Sequence, residues 1–186
     1  MISKGLIQEF IKALGQDNVL IEPSDLHVYS YDAAVLDPVI PGAVLSPGNS
    51  QELGRIVNLC NENRTPLNVR GSGTNLSGGT VPAAQDSVVV LTRRLNKILE
   101  INTRDLYARV QPGVITADFA AQVAQQDLFY PPDPGSQTVS TLGGNVAENA
   151  GGLRGLKYGV TKDYLQGVTF FDVNGELIHS GSRTIK

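Results

Sequence analysis

The chain runs from Leu67-Asn68-Val69 into Arg70-Gly71-Ser72-Gly73-Thr74-Asn75-Leu76-Ser77-Gly78-Gly79, with four glycines, three hydroxyl side chains, an Asn, an Arg and no carboxylate. Glycine takes positive φ without strain and lets the backbone approach a ligand, so successive N–H groups can converge on one anion. The chemistry that fits is phosphate binding. Two common phosphate loops do not match the spacing. A G-x-G-x-x-G fingerprint starting at Gly71 would put its third glycine at Leu76, and no helical pattern follows. A P-loop starting at Gly73 needs Lys-Ser/Thr after Gly78, where this chain has Gly79-Thr80 and then Val81-Pro82. Composition alone also allows a plain connecting loop, since turns collect Gly, Ser and Asn.

A second stretch of similar character follows later in the chain. Phe129-Tyr130-Pro131-Pro132-Asp133-Pro134-Gly135-Ser136 is stiffened by its prolines, and Ser140-Thr141-Leu142-Gly143-Gly144-Asn145-Val146-Ala147-Glu148-Asn149-Ala150-Gly151-Gly152 comes soon after. The pairs Gly143-Gly144 and Gly151-Gly152 bracket small and amide residues, which permits close approach of a flat ligand or of another backbone. A tightly packed turn between helices is the competing reading. Cys60 reads as a small buried apolar residue on a helix, and His27 and His179 have no second ligand at metal spacing.

The elements that must position these loops follow from periodicity. Ser3 caps a first helix with Leu6, Ile7, Phe10, Ile11 and Leu14 on one face and Gly15 closing it. Residues 19–41 are mostly irregular, with one short helical turn after Pro23. Ala43-Val44-Leu45, a helix capped by Asn49 or Ser50 and ending near Asn63, and Leu67-Asn68-Val69 make a strand, helix, strand unit of the kind that gives adjacent parallel strands. Ser87 to Leu91 is a further strand, and Ile98 to Ile101 with Tyr107 to Val110 spaces as an antiparallel hairpin of the first lobe. Thr116 is expected to cap a helix from Ala117 to about Gln125, followed by a loop-dominated region. Leu165 to Asp172 and Glu176 to His179 flank Asn174-Gly175, the signature of a two-residue hairpin turn. No closing element is read after Gly181.

The 186 residues are 41% hydrophobic and 18% charged with formal net charge -3, which does not suit nucleic acid or disorder. Twenty glycines and ten prolines point to many shaped turns. One cysteine, no long apolar run and no signal-peptide pattern lead to the expectation of a cytoplasmic protein, peripheral to a membrane only through partner subunits.

Taken in order, Arg70-Gly71-Ser72-Gly73-Thr74-Asn75 with Ser77-Gly78-Gly79, then Pro131-x-Asp133-Pro134-x-Ser136, then Gly143-Gly144-Asn145 with Asn149-Ala150-Gly151-Gly152, and Tyr158-Gly159 resemble the flavin-binding domain of FAD-linked oxidases. The family is the vanillyl-alcohol oxidase or p-cresol methylhydroxylase type, and the branch is similar to the FAD-binding subunit of glycolate oxidase and the D-lactate dehydrogenases. The resemblance implies an α+β fold, a two-subdomain PCMH-type FAD-binding domain incomplete at its C-terminus. Residues 1–38 would form an N-terminal helical segment, 39–115 the subdomain carrying the pyrophosphate loop, and 116–186 the second subdomain, with FAD between the two.

The same resemblance implies cofactor-binding residues Arg70, Gly71, Ser72, Gly73, Thr74, Asn75, Ser77 and Gly78 around the pyrophosphate. Pro134, Ser136, Thr141, Gly143, Gly144, Asn149, Gly151 and Gly152 would line the ribityl and isoalloxazine part. Neither histidine lies in a matching motif, so FAD is expected to be non-covalent. The implied activity is oxidation of a small 2-hydroxy acid, with electrons leaving to a partner subunit or quinone and with substrate contacts supplied by a cap domain that this chain lacks. Alone the chain is expected to bind FAD weakly or not at all, to turn nothing over and to self-associate. Arg154 and Lys157 are read as solvated charges. Flavin chemistry on other alcohols or sugars, and a non-catalytic module, are the alternatives.

Overall fold

Val88–Leu91 (β4) is the most deeply buried strand, its four residues between 0% and 3% exposed. A computed structural model describes residues 2–182 and shows why. β4 lies in the middle of a four-stranded sheet with Val19–Leu20 (β1), Ala43–Leu45 (β2) and Leu67–Arg70 (β3), in the order β1-β2-β4-β3. β4 is parallel to both β2 and β3, and β1 runs antiparallel to β2. The expected adjacency of β2 and β3 is therefore corrected, because the strand with the longest apolar run takes the position covered on both faces.

Alternation along β4 sorts the two faces. Val88 and Val90 face the helices Lys4–Leu14 (α1) and Ser50–Glu62 (α3) in a core with Leu6, Phe10, Leu14, Ile56, Leu59 and Cys60. Val89 and Leu91 face the other way, against Leu26 of Pro23–Val28 (α2) and Tyr29. Ser3 Oγ accepts from Leu6 N at 3.2 Å and Asn49 Oδ1 from Glu52 N at 2.9 Å, so both long helices start at side-chain caps. Burial pushes the Cys60 thiol up to about 12. A thiol reagent at pH 8 should modify Cys60 only as the chain unfolds, and rapid labelling of the native chain would show that the α3 face is open.

Contacts group residues up to Arg94 with those from Gln166 onward as one unit, and Leu95–Leu165 as another. The hairpin Ile98–Asn102 (β5) and Tyr107–Val110 (β6) goes with the second unit, because Ile98, Ile101, Ala108 and Val110 pack on Phe119, Val123, Val114 and Leu142. Phe119 and Val123 lie on Thr116–Ala124 (α4). Thr116 stands inside α4 rather than capping it: Ile115 is the cap residue, and the Thr116 hydroxyl is bonded to Ser140 and Asn145. Leu142–Glu148 (α5) is helical where a loop was expected, and Gly155–Tyr158 (α6) is a single turn.

The late hairpin, Gly167–Phe171 (β7) with Leu177–Gly181 (β8), belongs to the first unit. The Phe171 ring fills the space beside Gly54 of α3, where a Cβ would meet its Cε1 at 2.9 Å. Its turn differs from the expected two-residue form. Gly175 N donates to Asp172 O at 3.1 Å, Asp172 N to Glu176 O at 3.0 Å, and only Gly175 has positive φ, at 76°. That makes a three-residue loop closing on a left-handed glycine, held by Asp172 Oδ1 accepting from Asn174 N and Glu176 N. The absence of a closing element concerns residues 183–186, which lie outside the described residues. No helix among the described residues is long and apolar enough to cross a membrane.

Candidate cofactor site

β3 is an edge strand, and its last residue carries the chemistry into the glycine loop. In the parallel register Arg70 sits beside Leu91 and so points to the face that holds Tyr29. Its side chain is 8% exposed, and the Nη1 group donates to Tyr31 O at 2.7 Å and Thr80 Oγ1 at 3.3 Å. The guanidinium carbon lies 5.7 Å from the Tyr29 ring centroid. Burial pulls the Arg70 pKa down, against the opposing field of Asp32 and the two tyrosines. A guanidinium starts high enough to stay charged.

The loop bends over this buried cation. Gly73 has φ 70° and Gly78 φ 79°, conformations that favour glycine. Beyond them Asn75 organises the turn. Its Oδ1 accepts from Ser77 Oγ and from Gly79 N, each at 3.0 Å, and its Nδ2 donates to Thr80 Oγ1 at 3.3 Å. Among the described residues no hydrogen bond takes up the backbone N–H of Gly71, Gly73, Thr74 or Leu76. These partly buried or exposed donors in a loop bent by two left-handed glycines fit an anion such as a diphosphate.

Sequence reasoning overlooked Asp32, which is 9% exposed. It accepts from Thr80 N at 3.2 Å, Thr80 Oγ1 at 3.1 Å and Ala34 N at 2.9 Å. Burial acts to raise its carboxyl, but the hydrogen bonds from Ala34, Thr80 and Asn75 outweigh it and hold the pKa below the usual carboxylate value. Asp32 falls in the aperiodic Tyr29-Ser30-Tyr31-Asp32 stretch, so no local signal marks it.

In the second unit the remaining candidates form one connected assembly. Pro134 is buried, Pro134 O accepts from Gln137 N, and Ser136 O accepts from both Val139 N and Ser140 N. Thr141 Oγ1 caps α5 by accepting from Gly144 N at 3.2 Å. Gly143 N donates to Pro112 O at 2.8 Å, and a Cβ there would stand 2.5 Å from Pro112 Cβ. Asn149 ends α5 in the left-handed region at φ 49°, ψ 49°, and its Oδ1 accepts from Lys162 N at 3.0 Å. A Cβ on Gly151 would touch Val160 Cγ1 at 3.0 Å, and one on Gly152 would collide with the Asp133 carbonyl. At Gly152, then, the close neighbour is another backbone, and at Gly143 it is the ring and backbone of Pro112.

Behind these glycines lies a buried polar network. Asn145 is 2% exposed and donates to Thr116 Oγ1 at 2.8 Å, while Thr116 Oγ1 bonds Ser140 O at 3.0 Å and Ser140 Oγ at 2.9 Å. Burial raises the Tyr130 pKa, opposed by its bonds to Thr161 and Asn145. Arg154 is tied to Asp133, with Nε to Oδ2 at 3.4 Å, and lies over the Phe129 ring. Lys157 lies over the Tyr158 ring.

The fold is that of the PCMH-type flavoprotein oxidases. The crystal structure of p-cresol methylhydroxylase with substrate bound superposes with a TM-score of 0.82 at 22% identity, covering 97% of this chain and 36% of that one. The family described as the FAD binding domain matches residues 41–181, and the chain belongs to it, so FAD is the cofactor its family membership indicates. Over its whole length it is 47% identical to glycolate oxidase subunit GlcD of Bacillus subtilis (strain 168), covering 39% of that protein. It is likewise 34% identical to a D-lactate dehydrogenase of Anaerostipes hadrus, covering 38%. The chain thus spans about two fifths of the length of these curated relatives.

Proposed function

We propose that this chain is the FAD-binding portion of a flavin-dependent oxidoreductase acting on a small 2-hydroxy acid of the glycolate or D-lactate type. The observation that carries the cofactor reading is the loop after β3, whose N–H groups at Gly71, Gly73, Thr74 and Leu76 are unengaged among the described residues. Similarity over the whole of this chain to about two fifths of a glycolate oxidase subunit and a D-lactate dehydrogenase supports the substrate class.

Bound non-covalently, FAD would supply a two-electron acceptor for the hydride on the hydroxyl-bearing carbon. The chain's own residues bind and orient it. In this reading Gly71, Ser72, Gly73, Thr74, Asn75, Ser77 and Gly78 hold the diphosphate, with Arg70 bracing the loop from beneath. Pro134, Ser136, Thr141, Gly143, Gly144, Asn149, Gly151 and Gly152 shape the wall along the rest of the cofactor. The 2-hydroxy acid, an electron-accepting partner subunit and a cytoplasmic location belong to the same proposal.

Flavin fluorescence and visible absorption during titration provide the test. FAD uptake should be saturable and displaced by ADP, and riboflavin, which lacks the diphosphate, should bind at least about 100-fold more weakly. Equal affinity for riboflavin, or FAD uptake that ADP does not displace, would overturn the proposal.

A further inference from the structure

The glycine loop is bent at Gly73 and Gly78 and tied within itself by Asn75. The parallel register of β3 with β4 ends at Arg70 and Leu91, just before the loop begins. What fixes the far end of the loop is Thr80. Both its N–H and its hydroxyl donate to Asp32 Oδ2, at 3.2 and 3.1 Å, from a residue 48 positions upstream. The other carboxylate oxygen is tied to Ala34 N at 2.9 Å. Close by, Arg70 reaches Tyr31 O and the same Thr80 hydroxyl. The segment 29–34 thus holds Arg70, the last residue of β3, and Thr80, the last residue of the loop.

We propose that Asp32 is a positioning residue that presets the 71–80 loop for a diphosphate by clasping Thr80. This rests on the reading of that loop as the FAD diphosphate site. A carboxylate beside an anion site would ordinarily weaken it by like-charge repulsion. Here both Asp32 oxygens are engaged by donors of the protein, and Asp32 and the Arg70 guanidinium offset each other behind the loop. The N–H groups of Gly71, Gly73, Thr74 and Leu76, which have no partner among the described residues, are left for the ligand. Ordering a flexible ten-residue loop on binding would subtract from affinity, because each residue fixed loses conformational entropy. A clasp made during folding removes that cost from the binding step. Leu36, two residues beyond that segment, closes against Gly78, so the grip has an apolar contact beside the polar one.

The experiment compares the chain with its Asp32→Asn, Thr80→Val and doubly substituted forms by amide hydrogen exchange and by titration with FAD, ADP and adenosine. Asp32→Asn should lower protection at Gly79 and Thr80 about tenfold while the β2 and β4 amides keep theirs. It should weaken FAD and ADP by the same factor, about tenfold, and leave adenosine unchanged. In the Thr80→Val background the Asp32→Asn effect should shrink, because the two residues act on one another. Unchanged loop protection, or a loss spread evenly through β2 and β4, would overturn the inference and reduce Asp32 to a general stabiliser. Equal weakening of adenosine would overturn it too. If the unsubstituted chain takes up neither FAD nor ADP, the reading of the loop as a diphosphate site fails and takes the ligand named here with it. The exchange comparison would still show separately whether Asp32 holds the loop.

Discussion

Gly73→Val should lower FAD affinity by about 100-fold or more, equivalent to about 2.7 kcal/mol, while the sheet behind the loop stays folded. Two costs combine at this position. The backbone has φ 70°, where a non-glycine residue loses about 1–2 kcal/mol and a β-branched one more. The new Cβ would also stand 2.5 Å from the Arg70 guanidinium carbon. A flexible arginine could swing aside, but this one is held by Tyr31 O at 2.7 Å and covered to 8% exposure. The backbone of 71–75 must move instead, and with it the N–H groups of Gly71, Gly73 and Thr74. Gly73→Ala should show a smaller loss, about tenfold. Gly135→Ala is the matched control, since nothing lies within 4 Å of its Cβ position. Flavin titration with circular dichroism on the same samples decides the matter. Native affinity in Gly73→Val would remove the loop from the cofactor site.

Much of the scaffold was legible because it is written locally. Leu6, Phe10 and Leu14 recur at helical spacing between a serine cap and Gly15, and the structure buries those three. The run Val88–Leu91 has too many consecutive apolar residues for a strand with one wet face, and it is the central strand. What could not be read is order and partnership across distance. That β4 enters between β2 and β3 depends on which strand gains most from cover on two faces, a comparison no local window contains. Gly143 and Gly144 argue against a helix by propensity, but Thr141 caps the segment and Pro112 O receives the Gly143 N–H, so tertiary bonds prevail. Asn174-Gly175 signals a two-residue turn, and Asp172 selects the three-residue form with its side chain. At the candidate site the glycine loop announced itself by composition. The carboxylate that clasps it, and the Thr116, Ser140 and Asn145 network behind α5, are single polar residues whose meaning comes only from distant partners.

Asn145→Asp should destabilise the second unit at pH 7 by at least as much as Asn145→Ala, about 2–4 kcal/mol, and recover part of the loss in acid. Asn145 is 2% exposed, and its Nδ2 is the donor to Thr116 Oγ1 at 2.8 Å. Alanine removes that donor and leaves a cavity between α4 and α5. Aspartate keeps the volume but replaces the donor with an oxygen and places a charge where water is excluded. Desolvation then raises the new carboxyl above its unfolded value of about 3.9, so the folded state binds the proton more tightly than the unfolded state does. Stability is highest below the unfolded value and is lost as pH climbs through it toward the folded one. The difference between Asn145→Asp and the unsubstituted chain should therefore narrow near pH 4 and widen at pH 7, while the Asn145→Ala difference stays level. Taking differences at each pH cancels the acid loss of groups common to both, Asp32 among them, whose depressed pKa withdraws its contribution as pH falls through the folded value. Denaturant midpoints, with hydrogen exchange at α4 and α5 amides to confine the effect to the second unit, provide the measurement. An aspartate variant as stable as the parent at pH 7 would mean that water reaches Asn145, and that the network is not what holds α5 and the 149–152 turn in place.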